Sequence, residues 1–211
     1  MLKKEQLLLY AVTDRAWVAP ERSLLDDLED ALKGGVTMVQ LREKDLSEEA
    51  FEAEAVQVLA LCRRYGVPLL INDNAALAVK IGADGAHVGQ SDLQAEEARR
   101  LLGPDKILGV TAKTVEQAKA AQAAGADYLG SGAVFGTTTK KDAKPMDMAL
   151  LKEITGSVQI PVVAIGGIHA GNAAKLAGSG IAGAAVVSGI FAKPDKKQAA
   201  EDLVGILKTF C

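Results

Sequence analysis

The chain has 211 residues, with 24 Lys and Arg against 27 Asp and Glu and a formal net charge of −3 at pH 7. This length can bury a sizeable core without disulfides or structural metal, and no linker-like segment interrupts it, so we predict a single domain over residues 1–211. The near balance of charges argues against general nucleic-acid binding. The two cysteines, Cys62 and Cys211, lack the spacing of a zinc site or a disulfide framework. No apolar run is as long as a secretory or membrane-spanning segment, which predicts a cytoplasmic protein without membrane association.

Short apolar runs alternate with amphipathic helical patterns along the chain. Residues 7–13 form a continuous apolar run, which is typical of a strand buried on both faces. Residues 24–32 then repeat apolar side chains at helical spacing, with Ser23 as the expected N-cap and Gly34 as the stop. The alternation continues, and the remaining predicted strands are residues 38–41, 67–71, 86–88, 107–110, 128–130, 161–165 and 184–187.

Eight strand–helix units with apolar strands predict a parallel sheet covered by helices and closed into a (β/α)8 TIM barrel. The chain is short beside the roughly 250 residues typical of this fold, so insertions must be few. The alternative is an open, doubly wound sheet. Against it, the turn after the first strand, residues 13–15, has no Gly-x-Gly-x-x-Gly phosphate loop.

The end of the second strand changes abruptly from apolar to charged residues. Gln40 and Arg42 are two residues apart, so a strand would point an amide and a guanidinium to the same side. Glu43 and Lys44 follow and cannot be buried without partners. This pattern predicts a site that recognises an anion, with a solvated, charged loop as the alternative.

Polar residues or glycines follow every predicted strand, at the end of a TIM barrel where active sites lie. They would therefore converge on one face of the molecule. In chain order they are Thr13 and Asp14, residues 40–44, Asn72 and Asp73, residues 90–92, Thr111, residues 137–140, Gly166 and Gly167, and Ser188.

Two of these residues are carboxylates on neighbouring strands. Asp73 follows the third strand and Asp92 follows the fourth, so both could bind one divalent cation. Two carboxylates, together with phosphate oxygens and water, are the usual ligands of Mg2+. The alternative is that either aspartate caps the helix that follows it.

Hydroxyl and lysine side chains after the sixth strand form a candidate phosphate site, with a flexible surface loop as the alternative. The residues are Thr137, Thr138, Thr139 and Lys140. Gly166, Gly167 and Ser188 follow the last two strands, where such barrels often bind phosphate, although glycines also simply permit tight turns. We expect His87 to be an interior residue and His169 to have at most a supporting role.

With these residues in place, the chain closely resembles the thiamine phosphate synthase family. The matching segments occur in the family's order over almost the whole chain. They are residues 10–14, 39–44, 72–73, 84–92, 137–140, 161–168 and 186–188.

The resemblance implies a Mg2+-dependent enzyme that joins an aminopyrimidine diphosphate (4-amino-5-hydroxymethyl-2-methylpyrimidine diphosphate) to a thiazole phosphate and releases pyrophosphate. It also implies ligands for each part of the reaction. For the pyrimidine diphosphate these are Gln40, Leu41, Arg42, Glu43, Lys44, Asn72, Thr111 and Lys140. For Mg2+ they are Asp73 and Asp92. For the thiazole phosphate they are Thr137, Thr138, Thr139, Gly167, Val187 and Ser188.

The implied chemistry needs charge neutralisation and positioning rather than a protein nucleophile. Cleavage of the C–O bond to diphosphate gives a pyrimidine-methyl cation, and Arg42, Lys44 and Lys140 could offset the charge on the leaving group. Thr111 stands where the family usually has Ser, so the hydroxyl is kept. One alternative is a related thiazole tautomerase, which needs a histidine where this chain has Lys113. The other is a non-catalytic protein that only binds phosphorylated metabolites.

Overall fold

The computed structural model describes residues 2–89, 94–136 and 145–211, and the fold is given for these residues. Eight parallel strands pair in chain order, and β8 pairs with β1 to close the barrel. This confirms the predicted (β/α)8 TIM barrel. The strands are β1 Leu9–Val12, β2 Met38–Leu41, β3 Leu69–Asn72, β4 Gly85–Val88, β5 Ile107–Thr111, β6 Tyr128–Gly132, β7 Val162–Ile165 and β8 Gly183–Val186.

Helices surround the barrel and begin at side-chain caps. Ser23 accepts a hydrogen bond from the backbone N–H of Asp26, as its predicted N-cap role requires, and Ser47 and Thr114 cap two further helices. In the described residues the helices are α1 Leu24–Lys33, α2 Glu48–Tyr65, α3 Ala75–Ile81, α4 Ala95–Leu102, α5 Val115–Ala123, α6 Met148–Ser157, α7 Ser188–Phe191 and α8 Lys196–Leu207. No helix in these described segments is both long enough and apolar enough to cross a membrane.

The strands alternate between two apolar layers. Leu9 and Ala11 face outward and pack with the helices, whereas Tyr10 and Val12 belong to a second cluster inside the barrel. Each strand has only four or five residues, so it contributes two or three side chains to the interior. The interior positions near the C-terminal ends of the strands are therefore the ones that can form a site.

A 3-10 helix over Lys4–Leu7 precedes the barrel, so the first strand begins later than the predicted residue 7. Leu7 is fully buried and packs with the interior cluster, as does Leu2. These residues close the end of the barrel at which the strands begin. The opposite end, where the strands finish, is left to form the cavity.

The connection after β7 contains less helix than the repeating pattern predicts. It contains a 3-10 helix over Ala173–Leu176 instead of an α-helix. Ala173 and Leu176 are fully buried in the outer apolar layer, so one short turn still covers the strand.

A buried ion pair joins the first and last helices of the ring. Asp27 on α1 is fully buried, and its Oδ1 lies 3.5 Å from Nζ of Lys196 on α8, which is also buried. Arg22 binds the same carboxylate and also binds Asp30, which is partly exposed. Because α1 and α8 close the helical ring, this pair supports the closure of the barrel.

Replacing Asp27 with alanine should leave the Lys196 ammonium buried without its partner. We expect Asp27→Ala to lower the free energy of unfolding by about 3–5 kcal/mol, the usual cost of removing one member of a buried pair. Urea denaturation measures this change. The matched control is Asp30→Ala, which removes the more exposed of the two carboxylates that bind Arg22. This change should lower the free energy of unfolding by less than about 1 kcal/mol. Equal losses for the two variants would contradict the assignment.

Candidate active site

A cavity of about 440 Å3 opens at the ends of the strands. This volume lies within the range of roughly 300–1,000 Å3 that is usual for small-molecule sites. The walls include apolar side chains such as Val12, Val163 and Ile165. Its polar side chains come from many strands and loops and include Gln40, Arg42, Asn72, Asp73, His87, Thr111, Lys113 and Ser188.

The charged segment after β2 serves two adjoining cavities. Gln40 and Arg42 both line the main cavity, which is what their alternation along the strand predicts. Glu43 and Lys44 instead line a shallower groove, which Arg42 also lines. Leu41 is fully buried in the outer layer between barrel and helices, so its side chain does not reach either space.

A buried threonine holds the backbone of Arg42 in place. Thr13 is fully buried, and its Oγ1 accepts a hydrogen bond of 3.0 Å from the backbone N–H of Arg42. The backbone N–H of Thr13 in turn donates to the carbonyl of Gln40. These bonds fix the backbone of Arg42 where the strand ends.

Arg15 connects three elements around the groove. Its Nε and Nη2 donate to the two carboxylate oxygens of Glu43 at 3.3 Å, and Nη2 also donates to Glu54 on α2. Burial raises the pKa of Glu43, and the charge of Glu54 raises it further, while the Arg15 guanidinium opposes both. Arg15 therefore fastens the loops after β1 and β2 to a helix.

Asp73 adopts an uncommon backbone conformation at the edge of the cavity. Its φ is 58°, and it is the only non-glycine in the described residues with a positive φ. Asn72 donates from Nδ2 to Oδ2 of Asp73 at 2.5 Å, and the Asp73 backbone N–H donates to the carbonyl of His87. Asp73 does not cap α3, because Asn74 accepts from the backbone of Leu77 and has that role.

Five side chains form a hydrogen-bonded line beneath the cavity. Gln40 Nε2 donates to the Tyr10 hydroxyl at 2.6 Å, and the hydroxyls of Tyr10 and Tyr128 are 2.8 Å apart. His87 bridges the Tyr128 hydroxyl, at 2.8 Å from Nδ1, and Thr111 Oγ1, at 3.0 Å from Nε2. Burial raises the pKa of both tyrosines above the ordinary value, so both phenols stay neutral.

The loops after β7 and β8 form the far wall of the cavity. Gly167 has a φ of 64°, and a Cβ there would lie 2.6 Å from the carbonyl oxygen of Gly136. Asn172 donates from Nδ2 to the Gly167 carbonyl at 2.8 Å and so fixes this turn. Gly167, Val187 and Ser188 all line the cavity.

Other predicted site residues lie outside the described part of the chain, namely Asp92, Thr137, Thr138, Thr139 and Lys140. The described residues contain no cluster of three His, Cys, Asp or Glu side chains that could hold a metal by themselves. Asp73 is thus the one member of the predicted Mg2+ pair that the structure places. His169 is not among the residues that line the cavity, and its Nδ1 accepts from the backbone N–H of Gly171.

Sequence reasoning did not identify several residues that shape the site. Tyr10 and Tyr128 are aromatic residues within apolar strands, a pattern that indicates core packing. Arg15 follows a strand, as the other polar site residues do, and this position was the available signal. Glu54 occupies a position of α2 where the helical pattern predicts a solvent-exposed side chain. Nothing near it in sequence indicates that it binds Arg15, in the segment after β1.

The parallel barrel opens at the ends of its strands into a cavity with guanidinium, carboxylate, amide and hydroxyl groups. These features define a TIM-barrel protein with a site for a polar small molecule. The family model described as "Thiamine monophosphate synthase" matches residues 9–190. The chain belongs to this family, which confirms the resemblance seen in the sequence.

Individual relatives agree with the family match over nearly the full length. The thiamine-phosphate synthase of Ruminiclostridium cellulolyticum is 48% identical over 206 residues, which are 98% of this chain and 98% of that protein. That of Clostridium tetani is 48% identical over 197 residues, which are 93% and 94% of the two chains. The solved thiamine phosphate pyrophosphorylase from Pyrococcus furiosus is 33% identical, with a TM-score of 0.89 and coverage of 98% of each chain.

The carboxylate pair around Arg15 gives a prediction with a defined sign. Glu54→Gln removes the negative charge that raises the pKa of Glu43, so we expect that pKa to fall. Titration of the Glu43 carboxyl carbon by NMR measures the change. Glu52→Gln, on the same helix but paired with Lys80, is the control and should leave the Glu43 pKa unchanged. A higher pKa for Glu43 in Glu54→Gln would contradict the arrangement.

Proposed function

We propose that this chain is a thiamine-phosphate synthase that transfers the aminopyrimidine-methyl group from its diphosphate to the nitrogen of a thiazole phosphate, with Mg2+ and with release of pyrophosphate. One observation carries the proposal. One cavity is lined both by four of the residues expected at the pyrimidine diphosphate and by three expected at the thiazole phosphate. The four are Gln40, Arg42, Asn72 and Thr111, and the three are Gly167, Val187 and Ser188. The near full-length similarity to thiamine-phosphate synthases supports the same assignment.

The diphosphate end of the substrate would lie between the loops after β2 and β3. Arg42 lines the main cavity, and Lys44 lines the groove beside it, so two cations flank this region. Asn72 and Thr111 add an amide and a hydroxyl to the lining. Hydrogen bonds from cations to phosphate oxygens are stronger than neutral ones, which suits a leaving group with several negative charges.

The donors present are suitable for Mg2+. Asp73 presents a hard carboxylate at the cavity, and its conformation is fixed by backbone bonding to His87 and by the Asn72 amide. Mg2+ is commonly held by one or two carboxylates together with substrate phosphates and water. Asp73, with Asp92 as the expected second ligand, would hold the ion, which would supply charge neutralisation at the diphosphate.

The chain's own residues then support cleavage of the C–O bond. The electron pair of that bond leaves with the diphosphate oxygen, and Arg42 and Lys44 stabilise the charge that develops there. The pyrimidine-methyl cation is reactive toward water, and Val12, Val163 and Ile165 give the cavity apolar walls that limit water access. The thiazole nitrogen forms the new C–N bond, so no protein nucleophile is required.

The far wall would hold the thiazole phosphate opposite the cation. Gly167, Val187 and Ser188 line this wall, and the Asn172 bond keeps the Gly167 turn in place. Thr137, Thr138 and Thr139 are expected to add hydroxyl and backbone donors, and Lys140 to contact the diphosphate. Holding both substrates in one cavity replaces a bimolecular encounter with a positioned reaction.

The defining test is pyrophosphate release by the purified protein with both substrates and Mg2+. We expect release only when both substrates and the ion are present, with thiamine phosphate formed in equal amount. Omitting each substrate in turn and adding EDTA are the controls. Conversion of the thiazole alone without Mg2+ would indicate a tautomerase instead, and binding without any product would indicate a non-catalytic protein.

The metal assignment predicts a loss of turnover in Asp73→Asn. Asparagine tolerates the positive φ at this position, so the fold should be kept while the charge is lost. We expect the Mg2+-dependent rate to fall by about 100-fold, because charge stabilisation by a bound metal contributes several kcal/mol. Asp195→Asn, at the N-cap of α8, is the matched control and should retain the wild-type rate. A wild-type rate in Asp73→Asn would refute the role.

A further inference from the structure

The line of hydrogen bonds beneath the cavity joins two groups of the proposed site across the barrel. Gln40 lies at one end on β2, and Thr111 lies at the other end on β5. Between them Tyr10 and Tyr128 are 1% and 0% exposed, so each phenol depends on the line itself for its hydrogen bonds. Buried networks of this kind are costly unless every member is satisfied.

The barrel interior is shaped to admit these side chains. A Cβ on Gly109 of β5 would lie 2.2 Å from Cζ and the hydroxyl oxygen of Tyr128. A Cβ on Gly130 of β6 would lie 3.1 Å from Cε1 of His87. Two strands thus lack side chains where the line passes, and the line fits the barrel only because of these glycines.

Hydrogen-bond counting allows the line two directions. Each phenol has one proton, and a neutral imidazole donates from one nitrogen and accepts at the other. In the first direction Gln40 donates to Tyr10, and Tyr10 donates to Tyr128. Tyr128 then donates to Nδ1 of His87, and Nε2 of His87 donates to Thr111. In the second direction every bond is reversed, and Gln40 accepts from Tyr10 through Oε1.

The direction determines what the two ends present to the cavity. In the first direction Thr111 accepts from His87, so its own proton goes to another acceptor, and Gln40 presents its oxygen. In the second direction Thr111 donates to His87 and offers only lone pairs, while Gln40 presents its NH2 group. A phosphate oxygen near Thr111 can only accept a hydrogen bond, so it selects the first direction.

We propose that Tyr10, Tyr128 and His87 are positioning residues that couple the Thr111 hydroxyl to the Gln40 amide. When diphosphate binds at Thr111, the coupling turns the oxygen of Gln40 toward the substrate, where it accepts a hydrogen bond from the amino group. The proposal rests on the function proposed above, in which Thr111 contacts the diphosphate, and it takes Gln40, one of the residues expected to hold the pyrimidine diphosphate, to contact the amino group of the ring. It adds a specificity mechanism. A pyrimidine with an oxo group in place of the amino group would meet the oxygen of Gln40 and lose a hydrogen bond.

The tautomer of His87 tests the coupling without any need for turnover. The chain has two histidines, so nitrogen NMR of protein with labelled histidine gives few signals, and His169→Gln assigns them. With Mg2+ and inorganic pyrophosphate we expect the His87 proton on Nε2. Thr111→Val should abolish the effect of pyrophosphate on the tautomer, whereas Tyr10→Phe should keep it, because Thr111 still accepts from Nε2 of His87.

Steady-state kinetics test the effect on the substrate. Tyr128→Phe and Tyr10→Phe should each raise the KM for the aminopyrimidine diphosphate by about tenfold, the effect of a buried polar group left unsatisfied. The KM for the thiazole phosphate should not change. The control is Tyr65→Phe, which removes an exposed hydroxyl bound to Glu29 on the outer surface and should leave both constants unchanged.

A double substitution separates coupling from loss of packing. Thr111→Val removes the hydroxyl at the end of the line with little change in size. If Tyr128 acts through Thr111, the combined variant should raise the KM by less than the product of the two single effects. A purely structural contribution of Tyr128 would give the full product.

The outcomes distinguish the coupling from the proposed function. Wild-type turnover with unchanged constants in Tyr128→Phe, or a His87 proton on Nδ1 with pyrophosphate bound, would overturn the coupling and leave the function standing. No turnover by folded wild-type protein, with the Nε2 proton observed, would refute the function while supporting the coupling. If Tyr128→Phe does not fold, the wild-type tautomer and the constants of Tyr10→Phe decide the question.

Discussion

The alternation of side chains along very short strands is the constraint on which the rest of this structure depends. Each strand of the closed barrel offers two or three inward positions, and on most strands at least one of these belongs to the interior apolar cluster. The site must therefore be built from the last inward residue of a strand and the loop that follows. Gln40 and Asn72 are such last residues, while Arg42 and Asp73 begin the loops. A shift of one residue in any strand would move its polar group into the outer apolar layer.

Much of the fold follows from local patterns, because apolar runs, caps and glycine stops act over a few residues. The helix over Ala75–Ile81 and the Ser23 cap are examples. The turn after β7 departs from the pattern, since burial of Leu176 lets a 3-10 helix cover the strand. The polar ends of the strands could also be located from the sequence. Alternation alone also places the Leu41 side chain outside the barrel once Gln40 points inward.

Contacts across several elements could not be located in this way. Arg15, Glu43 and Glu54 come from two loops and a helix, and no spacing in the sequence relates them. The same holds for Tyr10 and Tyr128, whose residue types indicate core packing and whose hydroxyls meet only because the barrel closes. Gly109 carries a signal that is visible only afterwards, since a glycine inside a strand indicates close approach of another group without naming it.

Charge is distributed unevenly through the site, and this suits the proposed chemistry. The formal charges of Arg42, Lys44 and Asp73 lie around the mouth of the cavity and the neighbouring groove, whereas the floor of the cavity is a hydrogen-bonded line of phenol, imidazole and amide groups. A charged floor would be costly to bury and would act on every intermediate of the reaction. Groups that change hydrogen-bond direction can distinguish a donor from an acceptor without adding net charge next to the proposed carbocation. Arg42 and Lys44 would then stabilise the leaving group, and the hydrogen-bonded line would select the group that is transferred.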